Sequence, residues 1–192
     1  WQKENSIILS PRQAEAVKNL KYRISIVTGG PGTGKTTRLR AIMDVYHKVW
    51  PSEHILLMAP TGLAAKRMAE STGMNSATIH KACGLVPADN PSGFKAQGEC
   101  RICGFVGIDE MSMVGEHLFA FAVDAVLNSP STRIVLLGDT DQLAPVSRGD
   151  VLRDLIECGV IKTVRLDVNY RQGSTSTITD ASIKIRENRA YS

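Results

Sequence analysis

The densest chemistry in the chain lies in Gly29-Gly30-Pro31-Gly32-Thr33-Gly34-Lys35-Thr36, which matches glycine, four residues, glycine, lysine, then serine or threonine. Glycines let the backbone curl until successive N–H groups face inward, making an anion-binding nest at the positive end of the following helix. Lys35 adds a mobile charge for the outer phosphates of a triphosphate, and the Thr36 hydroxyl is a ligand for Mg²⁺. Gly30, Pro31, Gly32, Thr33, Gly34, Lys35 and Thr36 are therefore candidate nucleotide contacts. An apolar β-type run, Ile24 to Thr28, enters the loop and a helical pattern leaves it. That context separates a phosphate cradle from an ordinary glycine-rich turn.

A phosphate cradle that hydrolyses needs carboxylates nearby. Phe105-Val106-Gly107-Ile108-Asp109-Glu110 is an apolar strand ending in two acids. Ligand sites of open α/β sheets lie at the carboxyl ends of strands, so both acids belong beside the loop. Asp109 is the candidate Mg²⁺ ligand and Glu110 the candidate general base for water. The competing reading is an N-cap for the next helix, a role open to Asp109 or Ser112. A further strand ends at Gly138-Asp139-Thr140-Asp141-Gln142, where Gln142 has the reach to contact a γ-phosphate and where a plain turn is the alternative.

These side chains require a scaffold of alternating strands and helices. The pattern predicts strands at 23–28, 54–59, 105–109, 133–138 and 161–166, and helices at 11–20, 35–48, 62–71, 115–128, 150–157 and 176–187. Runs such as Ile134-Val135-Leu136-Leu137 are continuously apolar, as strands are when helices cover both faces of a parallel sheet. The expected fold is α/β, a P-loop nucleotide-binding fold with a mostly parallel sheet. Between Val86 and Cys103 the chain is rich in proline, glycine and asparagine, which predicts an exposed excursion or hairpin.

The 192 residues suit one domain, and 43% hydrophobic content is enough for a substantial core. A net charge of +4 permits a polyanionic partner without requiring one. No apolar run reaches the length of a membrane span, and four cysteines do not make a disulfide scaffold, so a soluble cytoplasmic setting is expected. His80-x-x-Cys83 and Cys100-x-x-Cys103 have the spacing of a zinc site, with buried apolar cysteines as the alternative.

The motifs taken together resemble superfamily 1 helicases. They are Gly29 to Thr37, Ala59-Pro60-Thr61-Gly62 with Ala64 to Arg67, Thr78-Ile79-His80, Ile108-Asp109-Glu110 with Ser112-Met113, Gly138 to Leu143, and Asn169-Tyr170-Arg171-Gln172. Gly149 to Ile156 followed by Val164-Arg165-Leu166 is most similar to the RecD-like branch, the exodeoxyribonuclease V alpha-subunit type. The resemblance implies a RecA-like fold and one motor domain over residues 1–192, with the second motor domain absent. It implies ATP and Mg²⁺ as cofactors, with Thr37 among the nucleotide contacts and Gln13 reading adenine. Lys35, Glu110, Gln142 and Arg171 would carry hydrolysis, with Thr36 and Asp109 on the metal.

Pro60, Thr61, Gly62, Thr78 and His80 match segments that hold single-stranded DNA. The implied activity is ATP-driven 5′→3′ translocation and unwinding in DNA repair and recombination, with other helicase-nuclease subunits as partners and no membrane. One motor domain alone is expected to bind nucleotide, to hydrolyse it weakly or not at all, and not to unwind duplexes. Alternatives stay open residue by residue: Ser10-x-x-Gln13 also reads as a capping box, His80 as a core histidine, and Arg171 as a surface ion-pair partner. A superfamily 1 RNA helicase, the helicase part of a relaxase, or a non-motor nucleotide switch would share the ATP motifs.

Overall fold

The computed structural model describes residues 14–15, 18–30, 33, 35–90, 92–97, 103–127, 130–142 and 145–166. Six strands form one sheet: β1 (Ile24–Gly29), β2 (Ile55–Ala59), β3 (Ser76–Thr78), β6 (Phe105–Ile108), β7 (Arg133–Gly138) and β8 (Lys162–Leu166). Their order is β3-β2-β6-β7-β1-β8 and every pairing is parallel. A two-stranded antiparallel hairpin, β4 (Leu85–Pro87) with β5 (Phe94–Ala96), stands apart from it.

The continuous apolar strands are explained by burial on both faces. Ile26, Met58, Val106, Ile108, Ile134 and Leu136 point into one core cluster, while Val27, Leu57, Phe105, Val135, Leu137 and Val164 point into the other. Helix α1 (Lys35–Val49) lays Leu39, Ile42, Met43 and Tyr46 on the second cluster, at the i, i+3, i+4, i+7 spacing of one helical face. Helix α2 (Gly62–Thr72) adds Met68 to that side. The short α3 (Ile79–Ala82), α4 (Glu116–Val126) and α5 (Val151–Glu157) cover the first cluster through Ile79, Ala122, Val126, Val151 and Leu152. The result is the RecA-like arrangement expected of the sequence, with helices on both faces.

Strand and helix bounds agree with the sequence expectations to within two residues wherever both are described. Strand β3, helix α3 and the 3₁₀ turn Met111–Met113 were not anticipated. Strand β3 has only three residues and carries no apolar run; it exists because its backbone pairs with Leu57–Ala59 of β2. Helix α3 is a single turn capped by the Thr78 side chain, too short for a periodic signal. The irregular stretch does hold a hairpin, pinned by Phe94, whose ring lies 5.3 Å from His80 and 5.2 Å from Phe121 of α4. The helix expected at 176–187 and half of that at 11–20 lie outside the described residues. Among the described residues no helix is long and apolar enough to cross a membrane.

At the amino ends of the strands, Tyr46 donates from its hydroxyl to Glu53 Oε2 at 2.6 Å, and the Arg133 guanidinium sits 4.3 Å above the Trp50 ring. Burial, then the Glu53 carboxylate, push the Tyr46 hydroxyl well above its usual range, so it remains a donor. At the opposite edge, β1 and β8 approach so closely that a Cβ on Gly29 would lie 2.7 Å from both Cβ and the carbonyl oxygen of Leu166. Gly29→Ala should therefore lower stability by about 2–3 kcal/mol, read as a drop in the urea midpoint. An unchanged midpoint would show that these strands are not packed as described.

Candidate functional site

A parallel sheet delivers every strand's carboxyl end to one edge, and three of those ends assemble the candidate site. Strand β1 leads into the glycine loop, β6 ends at Asp109, and β7, lying between them, ends at Gly138 before Gln142. Register ties the three together, with Thr28 opposite Gly138 and Ile108 opposite Leu136.

Lys35 opens α1, and its ammonium donates to the carbonyl oxygens of Gly29 and Gly30, the latter at 3.2 Å. Thr33 Oγ1 donates to the Gly30 carbonyl at 2.8 Å. These bonds hold the cation at the loop, where a phosphate oxygen would be a stronger acceptor than either carbonyl. Pro31, Gly32 and Gly34 lie outside the described residues, as do the side chains of Thr36 and Thr37 and the whole of Gln13 and Arg171.

Asp109 is reached from β6, and its own N–H donates to the Met58 carbonyl of β2 at 3.0 Å. Its Oδ1 accepts the Glu110 N–H at 2.8 Å. Burial raises the Asp109 pKa; the Glu110 N–H bond opposes this, the Glu110 charge adds to it, and the Lys35 charge opposes it. Lys35 and Asp109 therefore feel one another across β7. Glu110 is the one described non-glycine residue with positive φ, at 53°. That left-handed conformation is uncommon for a glutamate and re-aims its side chain out of the strand direction. Its Oε2 is buried without a hydrogen-bond partner. An orphaned carboxylate oxygen beside a desolvated aspartate fits a site completed by a hard cation and its water.

The capping alternative for these acids does not match the geometry. The N-cap of α4 is Gly115, with no side-chain cap, and Glu110 precedes the 3₁₀ turn Met111–Met113 without capping it through its side chain. Asp139 does behave as a turn residue: it is buried, and its Oδ1 accepts the Asp141 N–H at 3.0 Å. Gln142 is exposed and its Oε1 accepts from Ser112 Oγ at 3.2 Å. No sequence pattern could have signalled that contact, because 30 residues separate the partners.

The residues matched to DNA lie at the carboxyl ends of β2 and β3, further along the same edge. Thr61 caps α2 by accepting the Ala64 N–H at 3.2 Å, and Thr78 caps α3 by accepting from Lys81 N–H at 3.2 Å. Pro60 and His80 are half-buried and Gly62 is exposed. Cys83 and Cys103 are buried in the core cluster that also holds Ile108. Among the described residues no group of three His, Cys, Asp or Glu side chains could hold a metal ion, and Cys100 lies outside them.

A glycine-rich loop joining a central parallel strand to its helix, with an acidic pair ending a strand two places away, defines a P-loop nucleotide-binding protein of the RecA-like kind. The chain belongs to the AAA domain family, whose pattern it matches over residues 8–192. It is 36% identical over 176 residues to the ATP-dependent RecD2 DNA helicase of Deinococcus radiodurans, covering 91% of this chain and 23% of that protein. It is likewise 36% identical to the RecBCD enzyme subunit RecD of Mycolicibacterium smegmatis, over 85% of this chain and 33% of that one. Among solved structures, the Pif1 helicase of Candida albicans is similar with a TM-score of 0.67 and 26% identity, over 94% of this chain and 44% of that one. The chain thus spans a quarter to a third of the length of these curated relatives.

The raised Asp109 pKa has a thermodynamic consequence. The folded chain binds this proton more tightly than the unfolded chain, so the group costs stability as pH rises above the ordinary value of 3.8. Asp109→Asn keeps an oxygen for the Glu110 N–H and removes the buried charge. Without nucleotide or metal, this variant should melt roughly 2–4 °C higher at pH 7, the shift about 1 kcal/mol gives a chain of this size. The advantage should vanish toward pH 3.5, and melting curves that stay parallel across this range would refute the desolvated carboxylate.

Proposed function

We propose that this chain is the first RecA-like motor domain of a RecD-type DNA helicase, binding and hydrolysing ATP to move 5′→3′ along single-stranded DNA. One observation carries the reading: Lys35, bonded to the carbonyls of the glycine loop after β1, and the acidic pair Asp109-Glu110 after β6 lie at the carboxyl ends of strands on either side of β7 in one parallel sheet. Residues 1–192 act in this reading as a single ATP-binding unit. Its curated relatives are named as DNA helicases and as a RecBCD subunit, which supports DNA as substrate and other helicase-nuclease subunits as partners. Repair and recombination are the processes such an assembly serves, and the cytoplasm is where it acts.

In this reading Gly30 to Thr37 cradle the phosphates, Gln13 reads adenine, and Lys35 neutralises the β- and γ-phosphate oxygens. Thr36 and Asp109 would hold Mg²⁺, which would supply charge neutralisation for the phosphates. Glu110, already turned from the strand by its left-handed backbone, takes the proton of the attacking water at its buried Oε2. Gln142 donates to the γ-phosphate, and Arg171, in the motif that follows β8 in the sequence, neutralises its charge.

Pro60, Thr61, Gly62, Thr78 and His80 grip the strand at the ends of β2 and β3. The Asp109 N–H to Met58 carbonyl bond joins the acid to β2 two residues before Pro60. In this reading loss of γ-phosphate reaches the DNA grip through the paired ends of β6 and β2.

Lys35→Ala should weaken ATP binding by at least about 100-fold, as expected when a charge-assisted phosphate contact is lost. Glu110→Gln should keep nucleotide affinity while slowing hydrolysis by about 10²-fold or more. The wild type should bind oligo-dT, with affinity falling roughly tenfold between 50 and 200 mM salt. Unchanged ATP affinity in Lys35→Ala would sink the nucleotide site. Retained ATP affinity with no oligo-dT binding at low salt would sink the motor reading and leave a nucleotide switch.

A further inference from the structure

Gln142 is exposed on the loop after β7, where a free glutamine would sample many rotamers and either amide orientation. Its Oε1 is instead taken by the Ser112 hydroxyl at 3.2 Å. Ser112 is only 4% exposed and is the middle residue of the 3₁₀ turn Met111–Met113. That turn is locked: the Met113 N–H donates to the Glu110 carbonyl at 3.0 Å and the Val114 N–H to the Met111 carbonyl at 3.1 Å. Met111 is fully buried against β7, where a Cβ on Gly138 would lie 3.2 Å from Met111 Cβ. The glutamine's own backbone is also held, its N–H donating to the Asp139 carbonyl at 3.3 Å. A donor on a locked turn therefore faces a glutamine whose own N–H is also bonded.

The geometry points to Ser112 as the residue that orients the Gln142 amide, holding its oxygen inward so that the Nε2 donors face the terminal phosphate. A primary amide carries its acceptor and its donors on opposite sides of one carbon, so occupying the oxygen decides where the N–H groups point. Only the donor side suits an anionic phosphate; the flipped amide would present an oxygen and repel it. Ser112 lies two residues after Glu110, so the same turn sets both the base and, through one hydrogen bond, the sensor. Ser112 is thus a positioning residue acting through Gln142. The inference rests on the nucleotide reading above and adds how its γ-phosphate contact is aligned.

Calorimetric binding of ADP and of ATPγS to the full protein tests it without relying on turnover. Wild type should prefer ATPγS over ADP. Ser112→Ala should reduce that preference about fivefold, the worth of one neutral hydrogen bond, while ADP affinity stays unchanged. Gln142→Ala should show a similar loss, and the double variant should lose no more than Gln142→Ala alone. Ser112→Cys, which keeps the volume with a weaker donor, should fall between wild type and Ser112→Ala. Retained ATPγS preference in Ser112→Ala, additive losses in the double variant, or an equal weakening of ADP would each overturn the assignment. Wild type that binds neither nucleotide would overturn the underlying nucleotide reading and this assignment together, a result distinct from all of these.

Discussion

A carboxylate withdrawn from water and a lysine ammonium in electrostatic reach of it set the terms for the rest of this molecule. Burial makes the Asp109 charge unfavourable, and Lys35 offsets only part of that cost. The arrangement is tolerable because two packed clusters, one on each face of a six-stranded sheet, hold the strand ends in place. An isolated loop could not keep an aspartate dry. The rigidity of β1, β7 and β6 is therefore a precondition of the electrostatics.

Strand order decides what lies between the two charges. Because β7 is inserted between β1 and β6, the loop bearing Gln142 rises from the strand that separates the lysine from the acids. Two small residues make that crowding possible. Gly29 lets β1 approach β8, and Gly138 lets Met111 lie against β7, which brings the turn carrying Ser112 beside the loop bearing Gln142. Local strain is concentrated at the same place, with Glu110 in a left-handed conformation and its Oε2 unpartnered. Costs of this kind persist where the surrounding structure over-determines the backbone, and they accompany sites prepared for a ligand.

The edge continues past the acids to β2 and β3, whose ends begin helices capped by Thr61 and Thr78. Both threonines have local structural duties, so a hydroxyl at either position serves the helix whether or not nucleic acid is near. The Asp109 N–H to Met58 bond makes β6 and β2 a single mechanical unit at this edge.

Much of this was legible in the residues because it is encoded locally. The glycine loop, the apolar strand ending in Asp109 and Glu110, and the i, i+3, i+4, i+7 face of Leu39, Ile42, Met43 and Tyr46 are patterns within a few turns of chain. Continuous apolar strands already implied a sheet covered on both sides, and the family likeness drew the same motifs into one order. What the chain alone could not reveal depends on partners far apart in sequence. Strand β3 exists only as a pairing with β2, the capping alternative for Asp109 is excluded only by where α4 begins, and Ser112 meets Gln142 across 30 residues. Periodicity and motif spacing report on a residue's own neighbourhood. Desolvation, register and hydrogen bonds between loops arise only once the sheet has brought separate strand ends to one edge.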